Sequence, residues 1–332
     1  MSALLELDAR AMREEFDRRP FALRHRLCAH PLFALPRLLE LARSLPPACI
    51  EYNAGDLPVG QDPLATPRNG LSAEQTLRRI AQCRSWLVLK NIERDAAYAG
   101  LLGDCLAELR APDMRLAQGF VFVSSPGAVT PFHIDPEHNF LLQVGGRKTI
   151  HVFDPADRVV LPEEELERYY AGAHRNQRWR EDWRPRARAF ALEPGDGVHV
   201  PVTAPHWVQN GDAVSVSFSV TFRSRASERR AQVYAMNARL RRRAARRGQA
   251  AGAPAAAARG AAVRAARYAL AQARQACRIC DSNSRLPASS HIARPYSAGS
   301  QEGTSRPCTL STIASLTVPV RGAITGTPAS RL

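Results

Sequence analysis

TPFHIDPEHNFLLQVGGRK, from Thr130 to Lys148, mixes strand-forming apolar residues with His, Asp, Asn and Gln. Read as one extended segment, its side chains alternate. His133, Asp135, Asn139 and Gln143 then share one face, while Phe140, Leu142 and Val144 point to the other. A polar row on a buried face is stable only if each group finds a partner. The stretch therefore predicts something polar, and charged, inside the fold.

A His-x-Asp pair on a strand offers two ligands to one point. The later run PGDGVHVPVTAPHWVQNG supplies a third in His206. Two histidines and one carboxylate on one face of an octahedral metal leave three positions open, which suits iron(II) enzymes that hold both a co-substrate and dioxygen. The tripeptide alone is equally a strand edge with a solvated charge pair, so its surroundings decide.

Those surroundings are rich in short strands. GFVFVSS, NFLLQVGG, KTIHVFD, ARAFALE, GVHVPV and AVSVSFSVTF are separated by SPG, GGR, PGD and NGD turn signals, a density that predicts an antiparallel sandwich or barrel. One insertion, residues 161–189, is helical and then irregular and carries Tyr169, Tyr170, Trp179 and Trp183. It reads either as an edge-covering flap or as a lid and substrate wall.

TPFHIDPEHNFLLQVGGRK together with PGDGVHVPVTAPHW resembles the JmjC and cupin-like 2-oxoglutarate oxygenases, in pattern their asparaginyl hydroxylase branch. The resemblance covers residues 20–245 and is specific over 119–222. It implies a mainly β fold with flanking helices, a double-stranded β-helix (jelly roll), and the cofactors iron(II) and 2-oxoglutarate. Position by position it implies His133, Asp135 and His206 as metal ligands. Thr130 and Lys148, three residues before and fifteen after the first ligand, are implied to hold the distal carboxylate of 2-oxoglutarate, and Asn139 to line that co-substrate.

Physical chemistry agrees on Lys148. A buried carboxylate needs a cation and hydrogen bonds to offset its desolvation. The chain has two lysines, Lys90 and Lys148, against 44 arginines, so lysine is kept where a guanidinium does not fit. The other histidines read as structural: His199 as a satisfied barrel residue, His138 and His151 as outward-facing. Asp196 reads as a turn former, and the Cys277–Cys280 pair as chance, because no second ligand pair follows.

The chain's formal charge of +15 is unevenly placed. Residues 1–222 hold 26 basic and 28 acidic side chains, a net of −2, whereas residues 223–332 hold 20 and 3, a net of +17. Nucleic-acid chemistry, if present, thus belongs to the C-terminal third. Seven scattered cysteines, no apolar leader and no long apolar run predict a reduced, cytoplasmic protein without a membrane span.

The expected organisation has four parts. Residues 1–118 form a helical region packed on the barrel, with 2–48 largely helical, a capping box at Ser72 and Gln75, one short buried strand in SWLVLKNI and an amphipathic helix in AAYAGLLGDCLAELR. Residues 119–225 form the jelly-roll core. Residues 226–247 form a helix whose stripe of Val233, Met236 and Leu240 docks on the barrel or on a second subunit, the latter giving a homodimer. Residues 248–332 form a low-complexity basic tail, expected to be disordered and to bind nucleic acid weakly and without specificity. Three functional readings follow. One is an iron(II)/2-oxoglutarate hydroxylase of a protein side chain or small molecule. Another is a non-catalytic cupin-like module that binds a metal or ligand for regulation. The third, a nucleic-acid-associated protein guided by the Arg-rich C-terminal third, explains location better than activity.

Overall fold

The structure, a computed structural model, describes residues 3–250. In chain order the elements are β1 (Leu5–Glu6), α1 (Ala9–Glu14), β2 (Phe21–His25), α2 (Leu35–Ser44), β3 (Ile50–Ala54), α3 (Ala73–Arg78), β4 (Ser85–Lys90), α4 (Ala96–Leu109) and β5 (Arg115–Ser124). There follow β6 (Val129–His133), β7 (His138–Gly145), β8 (Lys148–Val152), α5 (Glu163–Tyr170), β9 (Arg188–Leu192), β10 (Asp196–Val200), β11 (His206–Asn210), β12 (Ser215–Arg223) and α6 (Arg225–Ala250). Residues 251–332, which hold most of the expected tail and the Cys277–Cys280 pair, lie outside the described residues.

The strands form two antiparallel sheets, an eight-stranded one in the order β1-β2-β10-β7-β12-β5-β4-β3 and a four-stranded one in the order β6-β11-β8-β9. The sheets face each other as a jelly roll. Between them lie Leu141, Ile150, Val152, Phe190, Val198, Val200 and Val208, the inward residues of five strands. The outer face of the larger sheet carries a second and larger apolar layer, in which Phe140, Leu142 and Phe218 meet Leu38 and Leu41 of α2 and Tyr98 and Leu102 of α4. Both faces of β7 are therefore buried, which is why NFLLQVG reads as a nearly continuous apolar run.

The stretch 130–148 is not one strand. It is β6, a turn at 134–137, β7 and the start of β8. Alternation holds within β7, where Asn139, Leu141 and Gln143 face inward, but it does not carry across the turn. Gln143 takes no guest: its amide donates to the carbonyls of Gly145 (2.6 Å) and Gly146 (3.0 Å) and accepts from Ser217 Oγ (2.6 Å). Gly146 closes the β7–β8 turn at φ +67°, where an added Cβ would lie 2.2 Å from the Val214 carbonyl oxygen.

Residues 1–118 are helical only in part. α2, α3 and α4 are present and Ser72–Gln75 closes its capping box, yet the same region contributes β1 to β4 to the larger sheet. In β2 the buried residues Phe21, Leu23 and His25 alternate with exposed Ala22 and Arg24, a period of two set among arginines. The C-terminal helix also differs from expectation. Its docked side is Ser227, Tyr234, Asn237 and Ala238, whereas Met236 is 51% exposed. Tyr234 stacks on Tyr170 of α5, and Arg241 binds Glu167 at 2.6 Å, so polar and aromatic contacts hold the helix.

His199 faces outward from the barrel, not into it, and is not satisfied. It is fully buried among Phe16, Phe21, Phe140 and His138, and apart from a weak contact with the Arg19 backbone neither ring nitrogen makes a well-formed hydrogen bond among the described residues. Burial holds its pKa well below the ordinary histidine value, and burial pushes His138 down to about 4 despite Asp17 nearby. The folded chain thus keeps both rings neutral, while the unfolded chain protonates them below about pH 6.5. Stability should fall as pH drops from about 6.5 towards 4, by about 3 kcal/mol for His138 alone. Denaturant melts at pH 7 and pH 5 measure this loss, and His199→Leu should make it smaller.

Candidate metal centre

The antiparallel pairing of β6 with β11 sets His133 directly opposite His206. Their ring centroids are 4.1 Å apart and both side chains are buried. Asp135 follows in the turn after β6. Its Oδ2 lies 3.4 Å from His133 Nε2 and 3.7 Å from His206 Nε2. The three donor atoms fall within 4.8 Å of one another, the convergence that the sequence predicted across a separation of 73 residues.

The rings are aimed by the backbone. His133 Nδ1 donates to the Pro131 carbonyl at 2.7 Å, and His206 Nδ1 donates to the Ala204 carbonyl at 2.9 Å. A carbonyl only accepts, so each Nδ1 carries the proton and each Nε2 offers a lone pair to the shared point. Burial and the neighbouring His133 push His206 down to about 3, which keeps it neutral. Burial raises the Asp135 carboxyl, but His133, Arg175 and His206 together outweigh this and hold it well below the ordinary range. Two imidazoles and one carboxylate fit a divalent transition metal.

The turn that carries Asp135 is held from behind. Ile134, between the two ligands, is fully buried in a cluster with Leu161, Leu166 of α5 and Tyr234 of α6. The insertion expected at 161–189 runs along β6: Ile134 N donates to the Arg175 carbonyl (3.1 Å), and Gln177 N to the Phe132 carbonyl (3.1 Å). Trp179 and Trp183 pack on Phe132 and on the outer face of the smaller sheet. The insertion is therefore a wall of the site as well as an edge cover.

Thr130 and His133 are an odd number of residues apart, so simple alternation would separate them. A bulge in β6 prevents this: His133 pairs with His206 but Thr130 with Val208, which returns both to the inward face. On the next strand, Val152, Ile150 and Lys148 pair with His206, Val208 and Asn210. Thr130 is thus one inward row below the histidines and Lys148 two rows below. Lys148 is buried, and among the described residues its ammonium has no hydrogen-bond or carboxylate partner. The Asn210 side-chain oxygen beside it is also unpartnered.

Two cavities meet at the triad. The larger, about 280 Å³, is lined by His133, Thr130, Trp86, Asn53 and Arg68 among others. The smaller, about 130 Å³, is lined by Asp135, Asn139, Thr221 and Lys90 among others. Neither is lined by Lys148. Asn139 presents an unpartnered side-chain oxygen in the smaller one.

Glu51 and Arg175 line both cavities, and sequence reasoning missed both. Arg175 lies 3.5 Å from Asp135 and 3.8 Å from Glu51, and Glu51 is ion-paired with Lys90. The scarcity of lysine that marked Lys148 marked Lys90 equally. It was the one available signal for this network.

His133→Ala and Asp135→Asn should weaken Mn(II) or Co(II) binding by about 100-fold or more, at or beyond the upper end of what outer-sphere changes produce. Arg175→Gln removes a cation 3.5 Å from a ligand carboxylate and should leave metal affinity equal or higher. Calorimetric titration of the metal into each variant measures both.

Residues 73–228 match the family model of the cupin-like domain. JmjC domain-containing protein D of Dictyostelium discoideum is 58% identical over 31 residues, 9% of this chain and 7% of that protein. The Escherichia coli ribosomal oxygenase YcfD is similar in structure, with a TM-score of 0.45 and 17% identity over 68% of this chain and 54% of that one. The same protein in complex with cobalt and 2-oxoglutarate gives a TM-score of 0.44 and 17% identity over 66% and 53%. The chain thus spans about half the length of that structure and a small fraction of the Dictyostelium protein. The similarity to the cupin-like domain thus lies in residues 73–228, which hold β4 to β12 and the His133–Asp135–His206 triad.

Proposed function

We propose that the chain is an iron(II)- and 2-oxoglutarate-dependent oxygenase that hydroxylates a protein side chain or a small molecule. The observation that carries this reading is the pairing of a convergent His133–Asp135–His206 triad with an ammonium, Lys148, buried on the same inward face without an anion. A metal-binding module alone has no use for a cation at that depth. A dicarboxylate that meets the metal at one end has a use for it at the other.

The residues divide the work. His133, Asp135 and His206 would hold the metal on one side and leave the opposite side open. Lys148 would neutralise the distal carboxylate, with Thr130 and the free Asn210 oxygen within the same inward rows to order it. Asn139 would line the co-substrate from β7. Such a metal and co-substrate supply the oxidation of a substrate C–H bond, coupled to conversion of 2-oxoglutarate and O2 to succinate and CO2. The apolar rows between the sheets exclude bulk water from the site.

Purified protein with iron(II), ascorbate and 2-oxoglutarate should form succinate, and His206→Ala should abolish it. Lys148→Met should lose 2-oxoglutarate binding while retaining metal. It should also raise the melting temperature, because an unpaired buried ammonium is replaced by an apolar chain of similar length. Normal 2-oxoglutarate affinity in Lys148→Met would contradict the proposal.

The pH dependence has a defined sign. Burial lowers Lys148 to about 7, so above that pH burial favours the neutral amine. A bound carboxylate favours the charged form, so binding must take up a proton at high pH. Affinity for 2-oxoglutarate should therefore weaken as pH rises from 7 to 9, and titrations in buffers of different ionisation enthalpy should register proton uptake.

A further inference from the structure

The docked helix α6 ends in the run ARLRRRAARR, from Ala238 to Arg247. Its arginines are not equivalent. Arg241 faces α5 and binds Glu164 (3.5 Å) and Glu167 (2.6 Å). Arg239, Arg242, Arg243, Arg246 and Arg247 are all exposed, and among the described residues none of their guanidinium groups has a carboxylate or hydrogen-bond partner. At 100° per residue these five fall within a stripe about 140° wide. The stripe lies opposite Tyr234, Asn237 and Ala238, the side by which the helix docks. Arg225 and Arg229, also exposed and unpaired among the described residues, continue the same face towards the start of the helix, for a length of about 33 Å.

Like charges three and four residues apart repel, so this stripe weakens the helix that carries it. Among the described residues nothing relieves the repulsion: residues 1–222 have a net charge of −2, and within this segment the arginines paired with carboxylates there are Arg223, Arg230 and Arg241. A partner outside the chain with closely spaced negative charge would relieve it. We propose that this outward face of α6 is a docking surface for the phosphate backbone of nucleic acid, bound without base specificity.

Three features favour nucleic acid over other polyanions. The cations are all arginine, whose fork pairs with phosphate oxygens in bidentate fashion. Along the helix axis the five arginines rise alternately about 4.5 and 1.5 Å, a mean of about 3 Å per cation, close to the spacing of phosphates along one strand. The helix has already committed its broad apolar side to α5, and the one exposed large apolar residue among the described residues of α6 is Met236, so there is little to insert into a lipid surface. Contacts from arginine to phosphate fix position along the strand but carry no sequence information, so binding follows the backbone rather than the bases.

The test uses the full chain and fluorescence anisotropy with a labelled 20-nucleotide RNA and a 20-base-pair DNA duplex between 50 and 300 mM salt. Substituting the five stripe arginines by Gln keeps helix propensity and removes charge. Affinity at 150 mM salt should fall at least about tenfold, and the slope of log affinity against log salt should become shallower by about 3.5 for the RNA and about 4.5 for the duplex, because five cations no longer displace counterions from phosphate. The matching Lys variant should retain most binding. A second variant converts the ten arginines of residues 249–332 to Gln and leaves the helix untouched. It should still bind with a salt slope that the stripe accounts for. Wild-type affinity in the five-Gln variant, or complete loss in the tail variant, would overturn the proposal. So would binding of phosphatidylserine vesicles or poly-Glu with none of either nucleic acid.

Discussion

The cross-strand pair His133–His206 is the contact on which the rest of the site depends. Two imidazoles placed opposite each other on adjacent antiparallel strands need no further device to converge, since their Cβ atoms are already neighbours. Everything else adjusts to that pair. The carbonyls of Pro131 and Ala204 turn the rings, Ile134 anchors the turn that brings Asp135 round, and the β6 bulge re-aims Thr130. The helices α5 and α6 contribute no ligand, yet their apolar contact with Ile134 fixes the position of one. A C-terminal helix is thereby part of the metal site at one remove.

The interior of the jelly roll is divided by depth. The triad sits at its mouth and Lys148 two inward rows down, with apolar side chains filling the adjoining space. The ammonium of Lys148, without a partner among the described residues, weakens the fold, because burial holds it near the point of losing its proton. A fold tolerates such a group where a ligand supplies the missing charge. At the mouth the balance is different. There Arg175, Glu51 and Lys90 form a chain of ion pairs beside Asp135, shared between two cavities, so the charge around the triad is set by the insertion and by β3 as well as by Asp135 itself.

Much of this was legible in the sequence, for reasons that can be stated residue by residue. His133, Asp135 and His206 stood out because polar residues interrupt apolar strands only where something holds them, and Lys148 because the chain avoids lysine. Strand alternation was a good guide within β7 and failed across the turn at 134–137, where the period of two is reset. β2 and β3 escaped notice because they are short, and β2 carries arginine on its solvent side. Arg175 and Glu51 were invisible because each is one among many arginines or glutamates, and their meaning comes from an encounter between distant segments. His199 misled because neighbouring Val198 and Val200 face the barrel, which leaves His199 on the other, equally buried face. The stripe of Val233, Met236 and Leu240 was apolar by spacing, but Tyr170 and Glu167 of α5 drew Tyr234 and Arg241 inward instead.

The central claim is that one elongated dianion bridges the triad and Lys148. Anomalous diffraction from crystals grown anaerobically with Mn(II) and 2-oxoglutarate tests it directly. The account predicts a single strong peak within bonding distance of His133 Nε2, His206 Nε2 and an Asp135 oxygen, with continuous density from that peak to a carboxylate on Lys148 Nζ. A metal peak elsewhere, or 2-oxoglutarate bound with Lys148 still unpaired, would contradict it.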